Sequence, residues 1–381
     1  MILTIVVFAL VLGILVFAHE LGHFFTARKF GVKAEEFGFG LPPRMFGWKK
    51  KNGKWKWFWG TTPTDKLESE DTILSLNWLP LGGFVQIKGE EGENTDPDSF
   101  AVQKAWKRAI ILVAGVTMNV ILAAVLLALT FMIGSPQSID PAKIANYPDA
   151  HVQISRVFKD TPADKAGIKP GDVVLMIDGQ SMVGSAAVQD YLKAKKDTEV
   201  TINIDRYGQK QEIKVTPTVD ESIGYAAIGV GLSDVAVVKY PWYRAIYEGG
   251  KASVLLTGRI VKAFYFIIHD AILGKEVGVD FAGPVGIAVM TGQAARMGWS
   301  YILQFTALLS INLAIINILP LPALDGGRLL FIAIEKVRRR PVSKKVENII
   351  HSIGFLILIG LMLFITGRDI FRFDTLVNKF F

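Results

Sequence analysis

Two histidines and a glutamate stand at a spacing that suits a metal site, near the end of the first apolar run. They are His19, Glu20 and His23. In a helix, residues four apart share one face about one turn apart, so both imidazoles can reach a single zinc ion while the glutamate acts as a base. Short motifs of this kind also occur by chance, but ionisable side chains at the margin of a membrane-spanning helix are costly unless they are used. The context therefore favours a catalytic zinc site.

Two imidazoles leave zinc in need of a third protein ligand, with the fourth position kept for water. Asp325 is the candidate, because it follows an apolar run that Pro320 and Pro322 interrupt. Irregular backbone at membrane depth is tolerated only where protein or a wet cavity satisfies it. At 1.5 Å per residue, His19 lies about 26 Å down its helix, and the run 301–319 spans about 27 Å. Both motifs are thus predicted at one depth; an N-cap role for Asp325 is compatible with ligation.

Membrane-spanning helices are the elements that must position these residues. The chain has 381 residues, 51% of them apolar, and no cysteine, which excludes a disulfide framework and a thiol nucleophile. About four apolar runs of the chain are long enough to cross a hydrocarbon core of about 30 Å. These runs are Ile2–Phe25, Ala109–Ile133, Tyr301–Leu319 and Ile349–Ile365. A fifth run, 252–273, carries several charges and is predicted as an amphipathic helix at the membrane interface, with a short span as the alternative.

The net charge of +7 is explained by membrane topology, because the basic residues cluster beside the apolar runs. Lys and Arg are concentrated between the first two runs and between the last two, so both segments are predicted in the cytoplasm. Both termini and the stretch 134–300 are then outside. This indicates a multi-pass membrane protein with its metal site near the cytoplasmic side. The lipid bilayer is an expected partner and nucleic acid is not.

Two segments between the runs are predicted to contain β structure. Segment 31–106 has Gly-rich, aromatic stretches that favour hairpins over helix. Segment 150–235 has short alternating runs, and Thr161–Gly179 within it resembles the core of PDZ domains of the bacterial protease-associated type. The predicted fold class is a multi-span α-helical membrane protein with a cytoplasmic-side β-hairpin element and an extracytoplasmic α+β PDZ domain. The predicted domain boundaries are 1–30, 31–106, 107–134, 150–235, 240–298, 299–336 and 347–367.

The PDZ resemblance implies a peptide-binding surface. Such domains bind peptide or protein termini by adding an extended segment to an exposed sheet edge. A blocked groove, with the domain serving only as a steric cap, stays open as the alternative. In either case, the domain is expected to admit substrates whose bulky external part has already been removed.

Taken together, the motifs resemble the site-2 protease family of intramembrane zinc metalloproteases, and most closely its bacterial regulator-of-sigma-E protease branch in a single-PDZ form. The similarity covers nearly the whole chain and includes Leu79–Phe84, Phe281–Gly286 and Asn317–Gly327. It implies zinc ligands at His19, His23 and Asp325 and a catalytic carboxylate at Glu20. It also matches Asn312 and Asn317 to asparagines that help hold substrate in that family. We further expect the substrate to add as a strand to the β element, with Gly38, Gly40, Gly82 and Gly83 at the binding edge.

The predicted function is that of a zinc metalloendopeptidase acting in regulated intramembrane proteolysis. It would hydrolyse peptide bonds in the transmembrane segments of single-span membrane proteins, such as anti-sigma factors or signal-peptide remnants. Zinc activates water, and Glu20 accepts its proton and delivers it to the leaving amine. The alternatives are a zinc transporter or sensor, and a PDZ membrane scaffold with an inert metal site. Transport is disfavoured because polar residues do not line every span.

Overall fold

The computed structural model describes residues 2–64, 67, 69, 71–90, 96–206, 208–220, 225–275, 283–340 and 342–371. The chain divides into two compact units. One consists of Met1–Thr130 with Trp242–Phe381, and the other is Phe131–Pro241. The predicted PDZ segment lies within the second unit.

The first unit is built mainly of helices. They are α1 (Ile2–Lys29), α2 (Ala105–Ile133), α5 (Trp242–Ile272), α6 (Pro284–Met297), α7 (Trp299–Ile318), α8 (Asp325–Arg338) and α9 (Lys344–Phe371). Within the described part of the chain, α1, α2, α5, α7 and α9 are long and apolar enough to cross a membrane. The four predicted runs fall on four of these helices. The fifth, α5, also meets the length and composition of a span, so the number of candidate spans exceeds the prediction by one.

Local sequence explains where the helices near the third run begin and end. Gly298 precedes α7 with φ 113°, a backbone conformation that residues other than glycine rarely adopt. The helix ends at Ile318, since Leu319 is already extended and Pro320 has no N–H to continue the ladder. The chain resumes helical structure at Asp325, so the break occupies the predicted Pro-x-Pro segment.

Close helix contacts hold this unit together. A Cβ on Gly22 of α1 would lie 2.3 Å from the Ala114 carbonyl oxygen of α2, so only glycine allows this approach. α5 packs on α2 as well, where the Ser253 hydroxyl donates to the Val120 carbonyl at 3.0 Å. Buried Ala123, Leu127 and Ile311 belong to the apolar cluster between α2 and α7.

A curled sheet completes the first unit and confirms β structure in segment 31–106. Its strands are β1 (Ala34–Lys51), β2 (Lys54–Trp59) and β3 (Ile73–Ile87), in the order β2-β1-β3. β1 folds back on itself, because β3 residue Leu74 is paired with both Phe37 and Trp48. The sheet therefore presents two well-defined faces, one of which packs on α1 through the Phe17–Phe37 ring contact.

The second unit is a mixed structure around its own core. Its main sheet has the order β4-β12-β5-β6-β8-β9, with β7 paired to β6. The strands and helices are β4 (Ser135–Ser138), a 3-10 helix (Pro141–Asn146), β5 (His151–Val157), α3 (Pro162–Lys165), β6 (Val173–Ile177), β7 (Gln180–Ser181), α4 (Ser185–Ala194), β8 (Val200–Arg206), β9 (Gln209–Val215), β10 (Thr218–Asp220), β11 (Tyr225–Ala227) and β12 (Val230–Val238). Ile154, Ile177 and Ile202 are fully buried in its core.

Candidate metal centre

The structure brings together three side chains that the sequence separates by about three hundred residues. His19 Nε2 lies 3.0 Å from Asp325 Oδ2 and 3.1 Å from His23 Nε2. His23 Nε2 lies 3.3 Å from the same carboxylate oxygen. Both histidines are buried.

These three atoms fit a tetrahedral zinc site. Zinc–ligand bonds of about 2.0–2.1 Å place neighbouring ligand atoms of a tetrahedron about 3.3 Å apart. The three observed separations are 3.0, 3.1 and 3.3 Å. Two imidazoles and one carboxylate are also the ligand set of catalytic zinc sites that keep the fourth position open. His19, His23 and Asp325 thus form a cluster that can bind a metal ion.

Two glycines allow the start of α8 to pack against the break between α7 and α8. A Cβ on Gly326 would lie 2.1 Å from the Leu319 carbonyl oxygen, and one on Gly327 would lie 2.3 Å from that of Leu321. Side chains at either position would push the start of α8 away from residues 318–322. The Gly-Gly pair after Asp325 therefore sets the position of the carboxylate.

Helix α9 packs against the same break between α7 and α8. The Ala323 amide donates to His351 Nδ1 at 2.8 Å, which stabilises the left-handed backbone of Ala323, φ 72°. A Cβ on Gly354 would meet Pro322 at 2.2 Å, so α9 lies directly against the break. His351 thus positions the segment that precedes Asp325.

Two ion pairs fix helix α8 on its neighbours. Arg328, one turn after Asp325, pairs with Glu90, just beyond the end of β3. Farther along α8, Glu335 pairs with Arg108 of α2 at 2.8 Å. Both pairs are partly buried, so loss of one partner would leave a desolvated charge at the interface of α8.

Each imidazole is oriented through its second nitrogen. His23 Nδ1 donates to the Ile111 carbonyl of α2 at 2.8 Å, which directs Nε2 into the cluster. His19 Nδ1 lies 3.2 Å from the side-chain amide of fully buried Asn119. The amide atom at this distance is Nδ2, and Oδ1 has no partner among the described residues. If the two ends of the amide are exchanged, Oδ1 accepts from the Nδ1–H of His19, the tautomer that leaves Nε2 free for a metal.

Sequence reasoning missed the part that α2 plays in the site. A Cβ on Gly115 would lie 2.4 Å from His23 Nε2 and 2.8 Å from His19 Cε1. Gly115 and Asn119 are four residues apart and so share one face of α2. The sequence did contain a sign of this role. Asn119 lies within an apolar run, and burying a polar side chain there costs free energy unless the side chain has a function.

Replacing Asn119 by Ala is expected to lower zinc affinity about 10- to 100-fold, because His19 loses the acceptor that fixes its tautomer and ring orientation. Zinc affinity is measured by competition with a chromophoric chelator. Ser310→Ala is the matched control, since Ser310 donates only to the backbone carbonyl of Asn119, at 2.7 Å. Its affinity should stay within about twofold of wild type. Equal affinities in Asn119→Ala and wild type, or equal losses in both variants, would contradict the orienting role.

Glu20 lies between the ligand cluster and the sheet. Its carboxylate accepts from the Val85 amide of β3 at 3.1 Å, and it lines a pocket of about 220 Å³. That pocket is also lined by Val16, His19, Leu313, Asn317, Ala323, Leu324 and Asp325. A carboxylate that shares a pocket with the cluster can exchange protons with a molecule bound there.

The predicted substrate-holding residues divide into two groups. Asn317 lines the pocket, with its amide nitrogen 3.3 Å from His19 Nε2, whereas Asn312 lies on α7 but not among the lining residues. The glycines lie at close contacts between β1, β3 and α1. A Cβ on Gly38 would lie 2.4 Å from the Phe84 ring, and one on Gly40 would lie 2.6 Å from the Leu79 carbonyl oxygen. A Cβ on Gly82 would lie 2.9 Å from Val16 of α1, and one on Gly83 would lie 2.8 Å from the Gly38 carbonyl oxygen.

The chain is similar to several known proteins. A relative from Agrobacterium fabrum, named provisionally as a zinc metalloprotease, is 30% identical over 392 residues, covering 96% of this chain and 95% of its own. Zinc metalloprotease RasP of Oceanobacillus iheyensis is 27% identical over 458 residues, covering 97% and 99%. Among solved structures, the PDZ domain of the SdrC-like protein from Listeria monocytogenes is 28% identical and covers 22% of this chain and 86% of its own, with a TM-score of 0.20.

The model of peptidase family M50 matches residues 7–361, which include all three residues of the cluster and Glu20. The match therefore extends over the great majority of the chain. Relatives named as zinc metalloproteases align with almost all of it, and the clustered side chains are those that such an enzyme needs. The chain belongs to peptidase family M50.

Proposed function

We propose that this protein is a zinc metalloendopeptidase that cleaves single-span membrane proteins within or beside their transmembrane segments, in regulated intramembrane proteolysis. The observation that carries the proposal is the meeting of His19, His23 and Asp325 at zinc-ligand spacing beside Glu20. The helices that supply the histidines and lead into Asp325, α1 and α7, are both apolar enough to span a membrane. A peptide bond cut here would therefore lie at or within the bilayer.

His19, His23 and Asp325 would hold the metal, and Glu20 would move the proton. Zinc in this position supplies Lewis acidity and lowers the pKa of water. The Glu20 carboxylate accepts the proton of the attacking water and returns it to the leaving amine nitrogen. Asn119 and the Ile111 carbonyl keep the imidazoles oriented throughout. The Asn317 amide, at the pocket wall, is placed to donate to the carbonyl oxygen of the substrate.

A substrate helix must unwind before its carbonyl groups become accessible, and β3 is suited to hold the unwound segment. The Val85 amide points away from β1 and toward Glu20. A substrate strand aligned with this edge would gain backbone hydrogen bonds and pass beside the catalytic carboxylate. Gly82 and Gly83 allow β3 to pack closely on Val16 of α1 and on Gly38 of β1, which holds this edge beside Glu20.

The second unit is proposed as an extracytoplasmic PDZ domain, with the metal site near the cytoplasmic face of a bacterial inner membrane. Within this unit, a pocket of about 420 Å³ lies between α4 and β12, lined by Gln189 and Leu192 on one side and Val230 and Leu232 on the other. Its helix-and-strand walls suit an extended peptide segment. This favours peptide binding over a purely steric role for the domain.

Cleavage mapping tests the proposed function. The purified protein, reconstituted with zinc in phospholipid vesicles, is expected to cut a tagged single-span membrane protein, and mass spectrometry should locate the new termini within or a few residues from its apolar segment. A soluble peptide of the same juxtamembrane sequence, without the apolar segment, serves as the control. Cleavage of the soluble peptide alone would show an ordinary peptidase and overturn the membrane-substrate assignment.

A further inference from the structure

The pocket beside the metal cluster has two walls that come from distant parts of the chain. One wall is β3, whose Val85 amide donates to Glu20 at 3.1 Å. The other is the start of α8, where Asp325 approaches both imidazoles. Glu20 and Asp325 line the same pocket. The distance between the two walls therefore decides where a peptide held on β3 lies relative to the metal and the base.

An ion pair joins these two walls. Arg328 comes three residues after Asp325, about 4.5 Å farther along the axis of α8. Its guanidinium pairs with the carboxylate of Glu90, which lies three residues beyond the end of β3 at Ile87. The two side chains are 27% and 18% exposed. A partly buried pair is screened less than a surface pair, and loss of one charge leaves the other desolvated.

The turn that carries Glu90 is held to the rest of the unit by backbone hydrogen bonds. The Glu90 amide donates to the Ile87 carbonyl at 3.2 Å. The Lys88 amide donates to the Lys33 carbonyl at 2.9 Å, and the Lys88 carbonyl accepts from the amide of buried Phe100 at 2.8 Å. A displacement of α8 would therefore change its distance from β3 and would not carry this turn along.

The other ion pair of α8 holds a different part of the helix. Glu335 comes ten residues after Asp325, about 15 Å along the axis. It pairs at 2.8 Å with Arg108, near the start of α2. Arg328 lies in the first turn of α8, and it also interacts by charge with Glu20. The Arg328–Glu90 pair is thus the one placed to control the distance from Asp325 to β3.

We propose that Arg328 and Glu90 are positioning residues that set the spacing between the β3 edge and the metal cluster, so that a peptide strand on β3 presents its scissile bond to the metal. This inference rests on the proposed protease function and adds to it the residues that align the substrate. Neither side chain contacts the reacting atoms. Each acts through the wall to which it belongs.

The spacing can be measured directly, because the chain has no cysteine and accepts a single spin label at Gln86→Cys, an exposed position on β3. Cobalt(II), which suits the same ligands as zinc, is loaded into the cluster and shortens the relaxation time of the label according to their distance. In Glu90→Gln this distance should grow by about 1 Å, a displacement large enough to lower a rate about 100-fold. Glu335→Gln, which breaks the other ion pair of α8, is the matched control and should keep the original distance. An unchanged distance in Glu90→Gln, or an equal increase in both variants, would overturn the inference.

Kinetics show whether the two residues act as a pair. In Glu90→Gln and in Arg328→Gln, kcat per zinc-loaded molecule for a reconstituted membrane substrate should fall about 10- to 100-fold. KM should change less than about threefold, since β3 still binds the strand. The double variant should lose no more than Arg328→Gln alone, because either single change already breaks the pair. Arg328→Lys keeps the charge, so its kcat should lie nearer to that of wild type than to that of Arg328→Gln.

Two kinetic results would refute the positioning role. One is a loss in the double variant that equals the product of the two single losses. The other is loss of zinc from both single variants, which would show that the pair holds the metal ligands and not the substrate strand. The distance measurement needs no proteolysis, so it separates this inference from the proposed function. A wild-type protein that binds cobalt but cuts no membrane substrate would contradict the protease, whereas a longer distance in Glu90→Gln would still support the spacing role.

Discussion

Glu20→Gln is expected to lower the rate of peptide-bond cleavage by about 10²- to 10⁴-fold, because the amide cannot accept the proton of the attacking water. Zinc binding should persist, since His19, His23 and Asp325 remain in place and Glu20 is not within the ligand cluster. The measurement is cleavage of a reconstituted membrane substrate, with zinc content determined on the same preparation. Gln retains an acceptor for the Val85 amide, so the contact with β3 is preserved.

Glu35→Gln is the matched control for this variant. Glu35 lies on β1 of the same sheet and outside the pocket, so its loss of charge should leave the cleavage rate near that of wild type. The Glu20 variant also separates the classes of function that the sequence allows, because zinc transport or scaffolding would survive it. Retention of full cleavage by Glu20→Gln would remove Glu20 from the chemistry.

Asp325→Ala is expected to weaken zinc binding by more than about 100-fold and to abolish cleavage. The loss should exceed that for residues that only orient a metal ligand, which is about 10- to 100-fold. The two imidazoles would remain, but zinc would lose its only carboxylate ligand from the described cluster. Zinc content after dialysis against a weak chelator gives the first readout. Thermal unfolding with and without zinc gives the second, and the stabilisation by zinc should disappear.

Asp369→Asn supplies a control at another buried carboxyl group. Asp369 accepts from the Gly286 amide at 3.0 Å, between α9 and α6, and lies outside the ligand cluster. This variant is expected to keep wild-type zinc content even if its unfolding temperature falls. An Asp325→Ala protein that binds one zinc with unchanged affinity would show that another residue completes the site.

The sequence predicted the convergence of the cluster because helix rise is a local property. Counting residues along α1 and α7 placed His19 and Asp325 at one depth, and their side chains lie 3.0 Å apart. The contribution of α2 could also have been inferred. Gly115 and Asn119 are four residues apart in a run that we interpreted only as apolar. Burying an asparagine in such a run costs free energy, which is the argument that identified the histidines as functional.

Other features depend on contacts that no local pattern encodes. The double pairing of Leu74 with Phe37 and Trp48 arises because β1 folds back around β3, and only the register of the folded sheet reveals it. His351 has no motif around it, yet its ring accepts the Ala323 amide across 28 residues of chain. The charges within α5 favoured an interfacial helix, whereas its 31 residues also meet the criterion for a span. Whether α5 lies in the interface stays a prediction.

The support that α9 gives to the break before Asp325 has a consequence for biosynthesis. All three ligand residues emerge from the ribosome before Lys344, yet the turn that aims the carboxylate rests on His351 and Gly354. A nascent chain that has inserted only its earlier helices therefore holds the ligands without their final arrangement. The final arrangement of the metal cluster would therefore be reached only when α9 has joined the earlier helices.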